Sequence, residues 1–451
     1  MTMRRIILLL AFYPLWATAY GQIVIRPDPE ISQMVGAVSG DSLRSYVRTL
    51  VGFGTRHTLS DAAATDHGIG AARRWVLAKF QAYAMTSHGR MTGKIDTWTQ
   101  LPDSQRVNRA VLMGNVAATI RGTDSSDDRI FIVTAHLDSR RTNVMDSTGD
   151  APGANDDASG VAALLEMARL LAAYPLKATV MLVAVTGEEQ GLLGAEHLAE
   201  KATEQHWNVA GDLNNDMIGQ STSSETGLRN NTRVRVFSES IPATETPQEA
   251  RLRKALGGEN DSRSRELARY LKTIASVYVP NLTVQLIYRR DRFLRGGDHE
   301  PFQNRGYTAV RITDYYENYN HQHQDVRTEH GTAYGDLEQY MDFPYLRKTT
   351  GLNLATMASL ATAPSGPVEA KIDVSRLTNK TRVYWKQPAH GKVKGYLVLM
   401  RETDQPMWQQ KFYTDSVEMT VPYSKDNYFF GVQAVGENGH LSMPVFPGIG
   451  R

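Results

Sequence analysis

From about residue 40 the chain alternates stretches in which apolar residues recur every three to four positions with short runs that are almost continuously apolar. The first pattern places one apolar stripe on a helix, and the second suits a strand covered on both faces. Ser42 to Val51 and Ala71 to Ala84 predict helices, as do Ser159 to Ala173, Glu266 to Val279 and Thr349 to Ala361. In Ser159 to Ala173 the stripe is Val161, Leu164, Leu165, Ala168 and Leu171. Ile130 to Thr134, Thr179 to Val185, Leu282 to Tyr288 and Ala309 to Ile312 predict buried strands. Together they predict an α/β fold, a sheet flanked by helices on both faces. In such folds ligands bind beyond the carboxyl ends of the strands.

The pattern changes at Ala363-Pro364-Ser365-Gly366-Pro367, which reads as a linker. Beyond it the chain predicts strands only: Arg382 to Trp385, Gly395 to Met400 and Asn427 to Val435. This part resembles a fibronectin type III module, with Trp385 on an early strand and Tyr428 on a later one, and implies a small C-terminal all-β sandwich. The opposite end carries Arg4 and Arg5, the apolar stretch Ile6 to Trp16 and the small-x-small Ala17-Thr18-Ala19, the pattern of a removable export signal. The expected division is therefore a signal over 1–21, a catalytic α/β domain over 22–363 and a β-sandwich over 364–451, which suits a chain of 451 residues. No segment approaches the roughly 20 apolar residues of a membrane span, so the mature chain is expected to be soluble and either periplasmic or secreted.

Composition narrows the chemistry. Without Arg4 and Arg5 the chain has 48 basic and 48 acidic residues, so no nucleic-acid partner is implied. It has no cysteine, which leaves His, Asp and Glu as metal-ligand types.

Residues of those types recur beside the strand ends: TAHLDSR at 134–140, APGANDDASG at 151–160, VTGEEQGLLGAEHLA at 185–199, LNNDMIG at 213–219 and NHQHQD at 320–325. Each block has an ordinary reading when taken alone. His136 could be a solvated histidine at a strand end, Asp156-Asp157 a helix cap, Glu188-Glu189 an exposed helix start, Asp216 a turn aspartate, and His321 and His323 exposed loop residues. Their order, with one block after another at a strand-to-helix break, favours chemistry. Asp138, two residues beyond His136, is spaced to orient that imidazole. A carboxylate of the Asp156-Asp157 pair could bridge two cations while Asp157 or Ser159 caps the helix. Of two adjacent glutamates, one can hold a metal while the other takes a proton from water.

In that order the motifs resemble the M28 family of zinc peptidases over roughly residues 40 to 360. The resemblance implies a zinc-exopeptidase fold with a mostly parallel central sheet, two Zn2+ per chain, and an aminopeptidase acting on peptides with a free N-terminus. It implies His136 and Asp216 on one zinc, Glu189 and His321 on the other, Asp156 bridging, Glu188 as general base and Asp138 behind the first histidine. His321 is preferred to His323 because the family's last histidine usually stands four residues before an aspartate, as His321 does before Asp325. Gly296-Gly297-Asp298-His299 looks like the family's block before a helix. The tyrosine that some relatives carry just upstream is Leu294 here, which leaves Tyr315, Tyr316, Tyr319 or Arg295 to stabilise an oxyanion. Other activities of the same fold stay open, among them a carboxypeptidase, a dipeptidase, a single-zinc glutaminyl cyclase and a non-catalytic ectodomain. The basic run Arg289, Arg290, Arg292 and Arg295 is either a solvated loop or a grip for a carboxylate.

Overall fold

The apolar runs become the middle of one eight-stranded sheet. A computed structural model describes residues 27–103 and 105–450, so the expected export signal lies outside the described residues. The strands are β1 Met91–Gln100, β2 Val111–Ile120, β3 Arg129–His136, β4 Thr179–Val185, β5 Asn208–Asn215, β6 Arg233–Ser238, β7 Thr283–Ile287 and β8 Ala309–Asp314, in the order β1-β2-β4-β3-β5-β8-β6-β7. The sheet is mixed. Its centre, β4-β3-β5-β8, is parallel, β6 also pairs parallel with β7, and the joins β1-β2, β2-β4 and β8-β6 are antiparallel. The parallel centre brings the carboxyl ends of four neighbouring strands to one edge, with His136 in register with Val185.

Helices cover both faces. One face packs under α1 Pro29–Gly36, α2 Gly40–Val51, α3 Gly68–Ala84, α4 Ala158–Leu171, α7 Arg263–Tyr278 and α9 Phe343–Thr362, and the opposite face under α5 Leu193–Glu204 and the short α8 Glu300–Asn304. The remaining helix, α6 Pro247–Leu256, lies against the C-terminal part of the chain. Helix α4 is apolar on nearly every side because it sits between the sheet, α2 and α9. Its buried Glu166 is satisfied by Arg169 at 2.6 Å and by the backbone N–H of Ser39 at 2.7 Å. A short hairpin, β9 Arg327–Glu329 and β10 Thr332–Tyr334, projects from the loop after β8.

After Ala363-Pro364-Ser365-Gly366-Pro367 the chain forms β11 Val368–Asp373, β12 Thr381–Lys386, β13 Val393–Glu402, β14 Gln410–Thr414, β15 Glu418–Val421, β16 Tyr428–Gly436 and β17 Gly448–Gly450. They build two sheets, β15-β12-β11-β17 and β14-β13-β16, around Val383, Trp385, Tyr396, Val398, Phe412, Phe430 and Val432. Trp385 meets Tyr396 edge-on at 5.1 Å, the indole buried as its apolar neighbours predict. No helix among the described residues is long and apolar enough to cross a membrane.

Candidate metal centre

The site forms where β3, β4 and β5 end. His136 closes β3, and its Nδ1 stands 3.0 Å from the backbone carbonyl of Asp138. A carbonyl can only accept, so Nδ1 carries the proton and Nε2 presents its lone pair to the opposite side. There Nε2 lies 3.0 Å from Asp156 Oδ1 and 3.9 Å from Asp216 Oδ1. The imidazole is thus oriented from position 138 by the main chain, with the Asp138 carboxylate 3.9 Å from Nδ1. That carboxylate instead accepts the N–H groups of Gly187 (2.8 Å), Glu188 (3.3 Å) and Glu189 (3.2 Å) and the hydroxyl of Thr58 (2.9 Å). It therefore fixes the turn that carries both glutamates.

The two adjacent aspartates divide their work. Asp157 is turned inward as the N-cap of α4, accepting from Gly160 N at 3.0 Å, and it also accepts from His136 N and Met217 N, each at 3.1 Å. One carboxylate so ties together three segments that bear site residues. Gly160 keeps that contact possible, because a Cβ there would stand 2.5 Å from Asp157 Oδ2. Asp156 faces the opposite way, its backbone N–H held by Asp336 Oδ2 at 2.7 Å. Its Oδ1 faces His136, and its Oδ2 lies 2.9 Å from His323 Nε2 and 3.2 Å from Gln322 Nε2. Glu189 Oε1 is also 2.9 Å from His323 Nε2.

Two ligand triads follow, His136 with Asp156 and Asp216, and Asp156 with Glu189 and His323; within each, the ligand atoms all lie within 4.8 Å of one another. Asp156 belongs to both. The second histidine of this geometry is His323, where the motif spacing pointed to His321. His321 is stacked on Tyr340, ring centroids 3.8 Å apart, and belongs to neither triad. His323 adopts φ +55°, and this left-handed turn brings its ring back over Asp156 and Glu189. Asp325, four residues after His321, accepts from Arg141 Nε at 2.7 Å.

The donor set fits a cation. His136 Nε2 and Glu189 Oε1 are buried and meet Asp156 and His323 at 3.0 and 2.9 Å without the alignment of a hydrogen bond, and the carboxylates of Asp156, Glu188, Glu189 and Asp216 crowd one partly buried space. Burial pushes the Glu188 carboxyl up to about 8; the charges of Glu189, Asp216 and Asp156 add to this and His136 opposes it. His323 is raised to about 10, burial opposing and the carboxylates of Glu189 and Asp156 prevailing. Bound cations would supply the positive charge that these acids lack, with nitrogen and oxygen ligands of the kind zinc takes.

Other supporting residues escaped the motif reading. Arg311, on β8, is fully buried, with Nη2 2.8 Å from Asp216 Oδ2 and Nη1 3.1 Å from Asp291 Oδ2. These two carboxylates hold its guanidinium well above the usual range despite burial, and the guanidinium in turn lowers Asp216. Gly297 leaves room for it, since a Cβ there would stand 2.9 Å from Nη1. Arg56 is buried and donates to the carbonyls of Leu137 (2.8 Å), Pro152 (2.7 Å) and Gly153 (2.9 Å), clamping the first two motif loops together. Asp298 is buried with neither carboxylate oxygen partnered, and burial followed by the charge of Glu188 raises it well above the ordinary range. Of the residues considered for an oxyanion, Tyr315 is engaged with Arg233 at 3.1 Å, Tyr316 packs on Tyr315, Tyr319 is about half exposed, and Arg295 pairs with Glu317 at 2.9 Å.

Residues 115–341, a segment that contains every candidate ligand of the two triads, match the model of peptidase family M28. The chain belongs to peptidase family M28. A protein of Leptosphaeria maculans named "probable zinc metalloprotease" is 45% identical over 427 residues, covering 94% of this chain and 98% of that one. Another so named, from Pyrenophora tritici-repentis, is 42% identical over 424 residues, 93% of this chain and 87% of that one. The fold is shared with two crystal structures from Legionella pneumophila: the LapA aminopeptidase (TM-score 0.53, 16% identity, 80% of each chain) and LapB (TM-score 0.53, 16% identity, 75% of this chain and 77% of that one). The M28 chain is accordingly a zinc metalloprotease, and its Asp, Glu and His triads are where zinc would be held.

Proposed function

We propose that this M28 protein is an exported aminopeptidase that uses two zinc ions and Glu188 to remove N-terminal residues from peptides. The observation that carries the reading is Asp156, shared by two ligand triads, with the Glu188 carboxylate left outside both. His136, Asp156 and Asp216 would hold one zinc, and Asp156, Glu189 and His323 the other. Bound zinc supplies Lewis-acid polarisation of the scissile carbonyl and lowers the pKa of water from about 15.7 towards 7.

The chain's own residues do the rest. Glu188, on the turn that Asp138 fixes, takes a proton from the attacking water onto its carboxylate and returns it to the leaving amine. The Nδ1–H of His136 stays on the carbonyl of Asp138, which keeps Nε2 aimed into the site. Arg311 holds Asp216 in place and offsets part of its charge. Selectivity for a free N-terminus would follow from a substrate α-amine reaching a zinc held by these ligands. Export rests on the pattern of residues 1–21, and the seven strands after residue 367 support a module of the fibronectin type III kind.

The test is zinc content and hydrolysis of aminoacyl and N-blocked substrates by the mature protein and by Glu188→Gln. About two zincs per chain in both proteins are expected, with cleavage restricted to unblocked substrates and a loss of about 10²- to 10⁴-fold in the variant. Cleavage of N-blocked peptides at their C-terminus, or cyclisation of N-terminal glutamine with one zinc bound, would replace this reading with another.

A further inference from the structure

The basic run before the Gly-Gly-Asp-His block separates in the fold. Arg289 stacks over Phe293, 3.4 Å from its ring centroid, and Arg290 is engaged with Gln303 and Asn304. Arg292 and Arg295 turn instead towards the metal centre and, with Arg235, converge on one carboxylate. Glu317 Oε1 lies 2.7 Å from Arg235, and its Oε2 lies 3.2 Å from Arg292 and 2.9 Å from Arg295. Beside them Asp291 is shared between Arg292 and Arg311 at 3.1 Å each. Four guanidiniums therefore meet two carboxylates here, once Asp216 is counted with the metal ligands. The most exposed is Arg295, its side chain 31% accessible against 5% for Glu317. Only its Nη1 is engaged, with Glu317 and with Gln322 Oε1 at 3.4 Å; among the described residues its Nε and Nη2 have no hydrogen-bond partner. Gln322 donates in turn to Asp156 Oδ2 at 3.2 Å, so a single amide side chain links the Arg295 guanidinium to the shared ligand.

We infer that Arg295, backed by Arg292 and Arg235, is a carboxylate-binding subsite for the leaving part of the substrate, and that the preferred substrates are short peptides ending in a free carboxylate. The inference rests on the aminopeptidase reading. A peptide whose scissile bond lies at Asp156 and Glu188 extends by about 3.3–3.6 Å per residue, so the carboxylate of a di- or tripeptide falls within the span of the Gln322 side chain and its two hydrogen bonds. A guanidinium with one open edge can take that group through two parallel N–H donors. An acidic side chain next to the scissile bond offers the same chemistry and is separated by the test.

Values of kcat/KM would be compared for Leu-Ala against Leu-Ala-amide, and for Leu-Asp-amide against Leu-Asn-amide, with leucine p-nitroanilide as a reference lacking any carboxylate. The wild type is expected to favour Leu-Ala over its amide by about tenfold or more, the scale of a charge-assisted hydrogen bond. In Arg295→Met that ratio should fall towards one whatever the absolute rates, and Arg295→Lys should restore part of it. A preference confined to Leu-Asp-amide would assign the subsite to acidic side chains and overturn the free-terminus assignment. A carboxylate preference unchanged in Arg295→Met, or none in the wild type, with leucine p-nitroanilide still cleaved, would overturn the subsite and leave the aminopeptidase reading intact. Failure to cleave any of these unblocked substrates would remove both.

Discussion

Replacing Arg311 by Met isolates the electrostatic debt of the metal centre. The guanidinium is fully buried between Asp216 at 2.8 Å and Asp291 at 3.1 Å, and methionine fills similar space without charge. Removing one partner of a buried ion pair costs about 3–5 kcal/mol, because the surviving carboxylate is left desolvated and unpaired. At about 2 °C per kcal/mol for a domain of this size, Arg311→Met should melt about 6–10 °C below the wild type in EDTA. Asp291 retains Arg292 at 3.1 Å, so most of the loss should come from Asp216. Two consequences follow from that attribution. Adding zinc, which supplies charge at Asp216, should narrow the gap between variant and wild type. Combining the change with Asp216→Asn should cost less than the sum of the single changes, since the uncompensated charge is then gone. Thermal melts followed by circular dichroism with EDTA and with zinc would measure both effects. An EDTA melt within 2 °C of wild type, or an identical gap with and without zinc, would refute the assignment of Arg311 as the counter-charge of Asp216.

The choice between the two loop histidines is open to metal analysis. His323→Ala should lower bound zinc from about two per chain towards one, whereas His321→Ala, which removes only a ring stacked on Tyr340, should keep both; the reverse pattern would restore His321 as the ligand. Away from the site, burial raises Glu239 to about 7 from an ordinary 4.5, Arg290 and Ser264 opposing. Because the folded form holds this proton more tightly, the stabilisation is complete below about pH 4.5 and is lost as pH rises through 7. Glu239→Gln should therefore flatten the fall in stability over that window by about 1–3 kcal/mol, measured by urea unfolding at several pH values; parallel profiles for the two proteins would show that Glu239 titrates normally.

What the sequence made legible follows from what each element is buried against. β4 coincides with the run Thr179–Val185, because a strand covered on both faces is apolar from end to end. β5 escaped the reading because Asp212, Asn214 and Asn215 interrupt it, and those side chains find partners such as Thr134 and Asn353 only in the folded chain. The edge strand β1 was equally hidden, its residues Met91–Gln100 being mostly polar and half exposed. At the site, residue types and order marked candidate ligands that the fold brings together, whereas the partner each side chain meets was not encoded locally. Asp138 holds a turn rather than a ring, and the loop turns at His323 rather than at His321. Arg311 left one readable trace, a charge set between the apolar Val310 and Ile312, where a buried guanidinium requires a carboxylate nearby.

The C-terminal sandwich is bound to the rest of the chain by the same kind of contact. Arg269 of α7 pairs with Asp261 at 2.8 Å and donates from Nε to the carbonyl of Pro406 at 2.6 Å; Arg401 of β13 reaches the same Asp261 at 2.5 Å, and Trp408 donates to Glu266 at 3.0 Å. The two arginines and two acids of this seam are all buried, so each side leaves the other with an uncompensated charge if they part. The hydroxyl of Tyr288 also donates to Pro406, at 3.3 Å. Three residues beyond Tyr288 stands Asp291, which holds Arg311, which in turn holds Asp216. The loop that carries Asp291 and Arg295 is therefore anchored at its start on the sandwich and at its far side on the metal centre. A substitution at the seam would reach the site through the placement of that loop, without altering any ligand directly.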